Sequence, residues 1–169
     1  MCSGNGTNFE NIVRTCNKDE VVLMIHNKKE CGAAKRAGKL GIPHCHISHK
    51  NEEQMAQLME AWRIDLIILA GYMRVLKDPD AFSAPIINVH PSLLPKYKGL
   101  HAVEQALESG DRITGCTVHM VTKELDSGKI LMQGIVPIHR DDNVKSLTRR
   151  IQLEEYRILP MTISQLTSL

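Results

Sequence analysis

Aromatic side chains are scarce in this 169-residue chain, with two Phe, three Tyr and one Trp making up 4% of it. Single-stranded nucleic acids bind to stacking platforms, and the basic clusters Lys28-Lys29 and Arg149-Arg150 have no aromatic residues interleaved. With a formal net charge of only +2, nucleic acid is not an expected partner. Cysteine offers no framework either. The five residues Cys2, Cys16, Cys31, Cys45 and Cys116 are odd in number, scattered and free of any CxxC pair, which argues against disulfides and for a reducing compartment. No apolar run approaches the roughly 20 residues of a membrane-spanning helix, and the N-terminus lacks a basic-then-apolar signal. These absences predict a cytoplasmic protein with no membrane partner. Repeats, low-complexity tracts and linkers are lacking too, so a single domain over residues 1–169 is expected, its 43% hydrophobic content enough for one core.

What is present alternates between two periods. Val21 to His26 and Ile42 to Ile47 are short strand candidates, and Asp65 to Ala70 is the continuous apolar run of a strand buried on both faces. Helical patterns lie between them at Phe9 to Cys16, Gly32 to Leu40 and Glu52 to Trp62, with Met55, Met59 and Trp62 at core-facing spacing. Alternating strand and helix predicts an α/β fold, an open, mostly parallel twisted sheet with helices on both faces, whose ligands collect at the carboxyl ends of the strands. Gly71 and His90 are expected on that rim. Towards the C-terminus, Gly115 to Thr122 and Lys129 to Ile138 flank the turn signal Asp126-Ser127-Gly128, predicting an antiparallel hairpin.

The chemistry concentrates in Asn88-Val89-His90-Pro91-Ser92-Leu93-Leu94-Pro95. A strand projects residues i and i+2 to one side, so Asn88 and His90 share a face, and the two prolines end the strand. An amide donor beside an imidazole suits acyl transfer, where an oxyanion develops and a proton moves. A satisfied polar pair at a strand end fits equally. Asp126 is open in the same way: it either closes an Asx turn or orients a nearby imidazole.

Three further features invite a ligand. Ser3-Gly4-Asn5-Gly6-Thr7-Asn8 is a glycine-rich turn before a helix, and Thr7 with Glu10 has capping-box spacing, which suits a capped helix start or a phosphate site. It is not a Walker A loop, and Phe9 stands at the third glycine position of a dinucleotide fingerprint, so NAD and ATP are disfavoured. In the last helix Val144, Leu147, Ile151 and Ile158 form an apolar stripe that contains Glu155, with Gln152 on its flank. A carboxylate there needs a wet edge or a cationic partner. His44, Cys45, His46 and His49 are metal-ligand types, but no second close pair completes a tetrahedral set, and no metal is expected.

Taken together, the motifs resemble the phosphoribosylglycinamide formyltransferase family of folate-dependent enzymes. The likeness runs from Ser3 to about Pro160. It includes the glycine loop at residues 3–8, Leu-Ala-Gly-Tyr-Met-Arg-Val-Leu at 69–76, Asn-Val-His-Pro-Ser-Leu-Leu-Pro-Lys-Tyr-Lys-Gly-Leu-His at 88–101, Gly-Cys-Thr-Val-His at 115–119 and Glu-Leu-Asp-Ser-Gly at 124–128. The His-Pro-Ser-Leu-Leu-Pro element is common to folate-dependent transferases and hydrolases, and the glycine loop with residues 98–102 narrows it.

The resemblance implies a Rossmann-like fold and direct attack of the glycinamide amine on the formyl carbon of 10-formyltetrahydrofolate, through a tetrahedral oxyanion. It makes Asn88, His90 and Asp126 catalytic. Gly6, Thr7, Asn8, Gln152 and Glu155 would bind the ribonucleotide, and Met73, Arg74, Val75, Leu76 and Asn88 the folate, with His49 or Lys50 as a basic folate contact. It further implies small-molecule substrates and a monomer or homodimer. Only Met1 and Cys2 precede the glycine loop, so part of the first strand is expected to be missing, and the tail after Pro160 is short. A formyltetrahydrofolate hydrolase is the second reading, and a non-catalytic phosphate-ligand or metal-binding module the third.

Overall fold

The computed structural model describes residues 1–16 and 20–167. The chain clusters into two compact units, Met1–Ile87 and Asn88–Leu169.

In the first unit, strands β1 (Met24–His26), β2 (His44–His46) and β3 (Ile67–Leu69) alternate with helices α1 (Thr7–Thr15), α2 (Gly32–Leu40) and α3 (Glu52–Ala61). β1 and β2 pair in parallel, Met24 opposite His44 and His26 opposite His46, with α2 as their crossover. These strands are shorter than their apolar runs, and Val22 is 39% exposed outside β1. Beside β1, Cys2 N donates to Ile25 O at 2.9 Å, and Ala70 N donates to Met1 O at 2.9 Å, so residues 1–3 bond to chain on both sides.

The start of α1 departs from the expected capping box. Thr7 is the first helical residue, and the N-cap is Gly6 at φ +74° with no side-chain cap bond. Glu10 turns instead to Arg14, at 2.7 Å, and to Arg36 of α2. A Cβ on Gly6 would stand 2.6 Å from Cα of Ala33, so the left-handed turn and the helix contact both require glycine here. α3 is capped by Asn51, whose side chain accepts from Gln54 N at 3.3 Å. Met55 and Met59 are buried as their spacing predicts, but Trp62 is 43% exposed and is not a core contact. It is the C-cap, followed by Arg63 at φ +51°, so the chain leaves the helical path where Trp62 would have joined the apolar face.

Strand β4 (Ile86–His90) begins in the first unit and ends in the second. The second unit continues with α4 (Ala102–Glu108), β5 (Ile113–Met120), β6 (Ile130–Pro137) and α5 (Val144–Thr167). β5 and β6 form the expected antiparallel hairpin, Ile113 opposite Pro137, with the register slipping between Val118 and His119. Along α5, Leu147, Ile151 and Ile158 are buried and Glu155 is buried among them, whereas Val144 is 41% exposed. Val144 is the first residue of α5 and has no preceding turn to pack beside it. Asn143 and Ser146 cap that end reciprocally, each backbone amide donating to the other's side chain at 3.0 Å.

Candidate active site

β4 carries Asn88 and His90 on one face, Asn88 half-buried and His90 buried. His119, near the end of β5, and Asp126, in the segment between β5 and β6, join them. Asn88 Nδ2 lies 3.3 Å from His119 Nε2. Asp126 Oδ1 lies 3.6 Å from the same His119 nitrogen, and its Oδ2 lies 3.4 Å from His90 Nδ1. Four polar side chains thus form a continuous set within the second unit. Asp126 takes a positive φ of 48°, which points to a position determined by its surroundings, and Gly99 N donates to its Oδ2 at 2.8 Å.

Backbone carbonyls assign the protons. His90 Nε2 is 2.7 Å from Tyr97 O, and a carbonyl only accepts, so Nε2 carries a hydrogen. The other nitrogen, Nδ1, faces the Asp126 carboxylate. A hydrogen on Nδ1 would point at that carboxylate. His119 Nδ1 likewise donates to Met120 O at 2.9 Å, leaving Nε2 to accept from Asn88 or, once protonated, to face Asp126. Burial alone would raise the Asp126 carboxyl. The His119 ring, the Gly99 amide and the charge on His90 outweigh it and hold the group below the ordinary carboxylate range.

A buried hydroxyl ties the loop after β4 to the hairpin. Thr117 Oγ1 donates to Ser92 O at 2.7 Å and accepts from Leu94 N at 3.0 Å and Gln133 Nε2 at 2.9 Å. His119 and the Tyr97 carbonyl were not singled out from sequence. His119 follows the rule that selected Asn88 and His90, because Thr117 and His119 are i and i+2 on a strand.

The remaining expected site residues stand as follows. In the first unit, Gly6 is buried and Thr7 and Asn8 are half-buried at the first turn of α1. Met73 and Val75 are each 63% exposed with Arg74 exposed between them, whereas Leu76 is packed into the core. His49 is half-buried and Lys50 exposed. His44 and His46 are exposed, and the His26 ring lies beside both, with ring centroids 5.4 and 5.7 Å away. Among the described residues no group of three or more His, Cys, Asp or Glu is arranged to hold a metal ion. In the second unit Glu155 is buried and Gln152 exposed on α5.

Residues 1–163 match the family described as formyl transferase. The chain is 36% identical to the phosphoribosylglycinamide formyltransferase of Haemophilus influenzae, over 99% of this chain and 85% of that protein. It is 39% identical to the trifunctional purine biosynthetic protein adenosine-3 of Drosophila melanogaster, but spans only 14% of that protein's length. Among solved structures, the phosphoribosylglycinamide formyltransferase of Bacillus halodurans matches with a TM-score of 0.91 at 35% identity, covering 99% of this chain and 93% of that one. The glycinamide ribonucleotide transformylase 1 of Symbiobacterium toebii matches with a TM-score of 0.90 at 38% identity, covering 96% and 82%. Sequence and fold agree: the chain belongs to the formyl transferase family.

Proposed function

We propose that this protein transfers the formyl group of 10-formyltetrahydrofolate to the amine of glycinamide ribonucleotide, a reading supported by relatives named phosphoribosylglycinamide formyltransferase. The observation that carries the reading is the set Asn88, His119, Asp126 and His90, which sets an amide donor, a carboxylate and two imidazoles side by side.

Attack of the amine on the formyl carbon forms one C–N bond, and release of the folate nitrogen breaks another. The carbonyl oxygen is an oxyanion in between. At 3.4 Å the His90 Nδ1 to Asp126 contact is longer than a charge-assisted hydrogen bond of about 2.7–2.9 Å, so the Nδ1–H is open to a second acceptor. That proton and the Asn88 amide serve the oxyanion, each donor contributing about 3–4 kcal/mol in a preorganised site. Asp126, kept ionised, holds the His90 ring and orders the water through which a proton passes from the amine to the leaving nitrogen. Gln152 and Glu155 serve the amine-bearing end of the substrate.

In the first unit, Gly6, Thr7 and Asn8 are assigned to a phosphate group, because the first amides of a helix lack intrahelical partners and favour anions. Exposed Met73 and Val75 suit the flat apolar face of a pterin. Leu76 contributes its backbone, its side chain being committed to the core.

The test is product analysis with both substrates and purified protein. Equimolar formylated ribonucleotide and tetrahydrofolate are expected. Formate with no formylated ribonucleotide would mean hydrolysis and would overturn the assignment.

A further inference from the structure

The carbonyl that receives the His90 Nε2–H belongs to Tyr97, a non-glycine residue at φ +56°. Such a backbone persists only where its surroundings over-determine it. Two devices hold it. Ser92 Oγ donates to Lys96 O, and Lys96 N donates to Leu93 O at 3.1 Å, closing the loop from within. From outside, Asp111, just ahead of β5, takes both neighbouring side chains on one oxygen: Tyr97 OH and Lys96 Nζ each donate to Oδ2 at 2.6 Å. The Lys96 and Tyr97 hydrogen bonds keep the Asp111 carboxyl below its ordinary range, so the clamp is ionised at neutral pH.

We propose that Asp111 is a positioning residue for His90: by clamping Tyr97 and Lys96 it keeps the Tyr97 carbonyl on His90 Nε2, which fixes a proton there and leaves Nδ1 to face Asp126. Without a held acceptor at Nε2 the ring is free to turn its Nδ1 away from Asp126. A carbonyl held against Nε2 removes that freedom. Asp111 touches no reacting atom in this scheme and acts through the loop. Its effect on turnover rests on the formyl-transfer reading, whereas its effect on the ring does not.

The test compares wild type with Asp111→Ala, Asp111→Asn and Tyr97→Phe in the full chain. Nitrogen-15 NMR of the histidine rings, with His90 assigned by its loss in His90→Gln, reports which ring nitrogen carries the proton. Wild type is expected to show a persistent Nε2–H on His90. Asp111→Ala and Tyr97→Phe should loosen it, exchanging that proton at least tenfold faster, and lower kcat about tenfold with KM within twofold. Asp111→Asn, which retains an acceptor for the Tyr97 hydroxyl, should recover most of both. Tyr97→Phe removes a single hydroxyl and decides the matter if Asp111→Ala does not fold. Ring signals unchanged in Tyr97→Phe, or kcat unchanged beside a loosened ring, would overturn the proposal. A wild type that transfers no formyl group sinks the functional reading alone, and the ring signals still decide the positioning claim.

Discussion

Asp126 Oδ2 lies 3.4 Å from Nδ1 of His90, and both side chains are almost wholly buried. The carboxyl is held below its ordinary range, so the sign of its pH effect is fixed. A group whose pKa is lower folded than unfolded stabilises the fold above the unfolded value, and that contribution is lost as pH falls through the folded value. The stability advantage of wild type over Asp126→Asn should therefore be full at pH 7 and shrink below about pH 4, the ordinary Asp range. Urea denaturation of both proteins at pH 7 and pH 3 measures it. An advantage that does not diminish at low pH contradicts the assigned state.

Asn88 tests the oxyanion. Asn88→Ala removes a donor worth about 3 kcal/mol in the transition state, a drop in turnover of at least a hundredfold. The fold should persist, because Asn88 is half-buried and bonded through a single side-chain contact to His119. Steady-state kinetics beside a thermal melt separate the two effects.

Thr117→Val tests how the loop after β4 is anchored. The swap keeps the shape of the side chain but strands Ser92 O and Leu94 N, both bonded to the Thr117 hydroxyl in the buried interior. Unsatisfied buried groups cost about 1–3 kcal/mol each, so a loss of about 2–6 kcal/mol is expected in chemical denaturation.

Gly6→Ala combines two penalties, a side chain in the left-handed region and a Cβ 2.6 Å from Ala33 Cα. Left-handed strain and overpacking each cost about 1–3 kcal/mol, giving about 2–6 kcal/mol together, read as a lowered melting midpoint.

Much of this was legible in the sequence, for reasons that can be named. The i, i+2 rule placed Asn88 and His90 on one face, and the Asp-Ser-Gly turn signal located the β5–β6 connection that carries Asp126. Buried Met55 and Met59 followed from helical spacing, and the same spacing failed one step later because the helix ends at Ala61, before Trp62. The Thr7 and Glu10 capping signature misled because Glu10 is drawn off by Arg14 and Arg36, a contact between α1 and α2 that spacing along one helix cannot show. α4 escaped notice since its buried residues, Ala102, Val103 and Ala106, are small and make a weak periodic signal over seven residues. The partners of His90 at Tyr97 and of Asn88 at His119 arise from loop closure and strand pairing, so they became visible only in three dimensions.

Asp126→Asn replaces the carboxylate beside His90 with an amide of nearly the same shape, so its turnover reports whether that carboxylate drives formyl transfer. Tetrahydrofolate release with glycinamide ribonucleotide present should fall at least a hundredfold below wild type, while the thermal melt at pH 7 remains cooperative. Turnover within a few-fold of wild type in the folded variant would contradict the account.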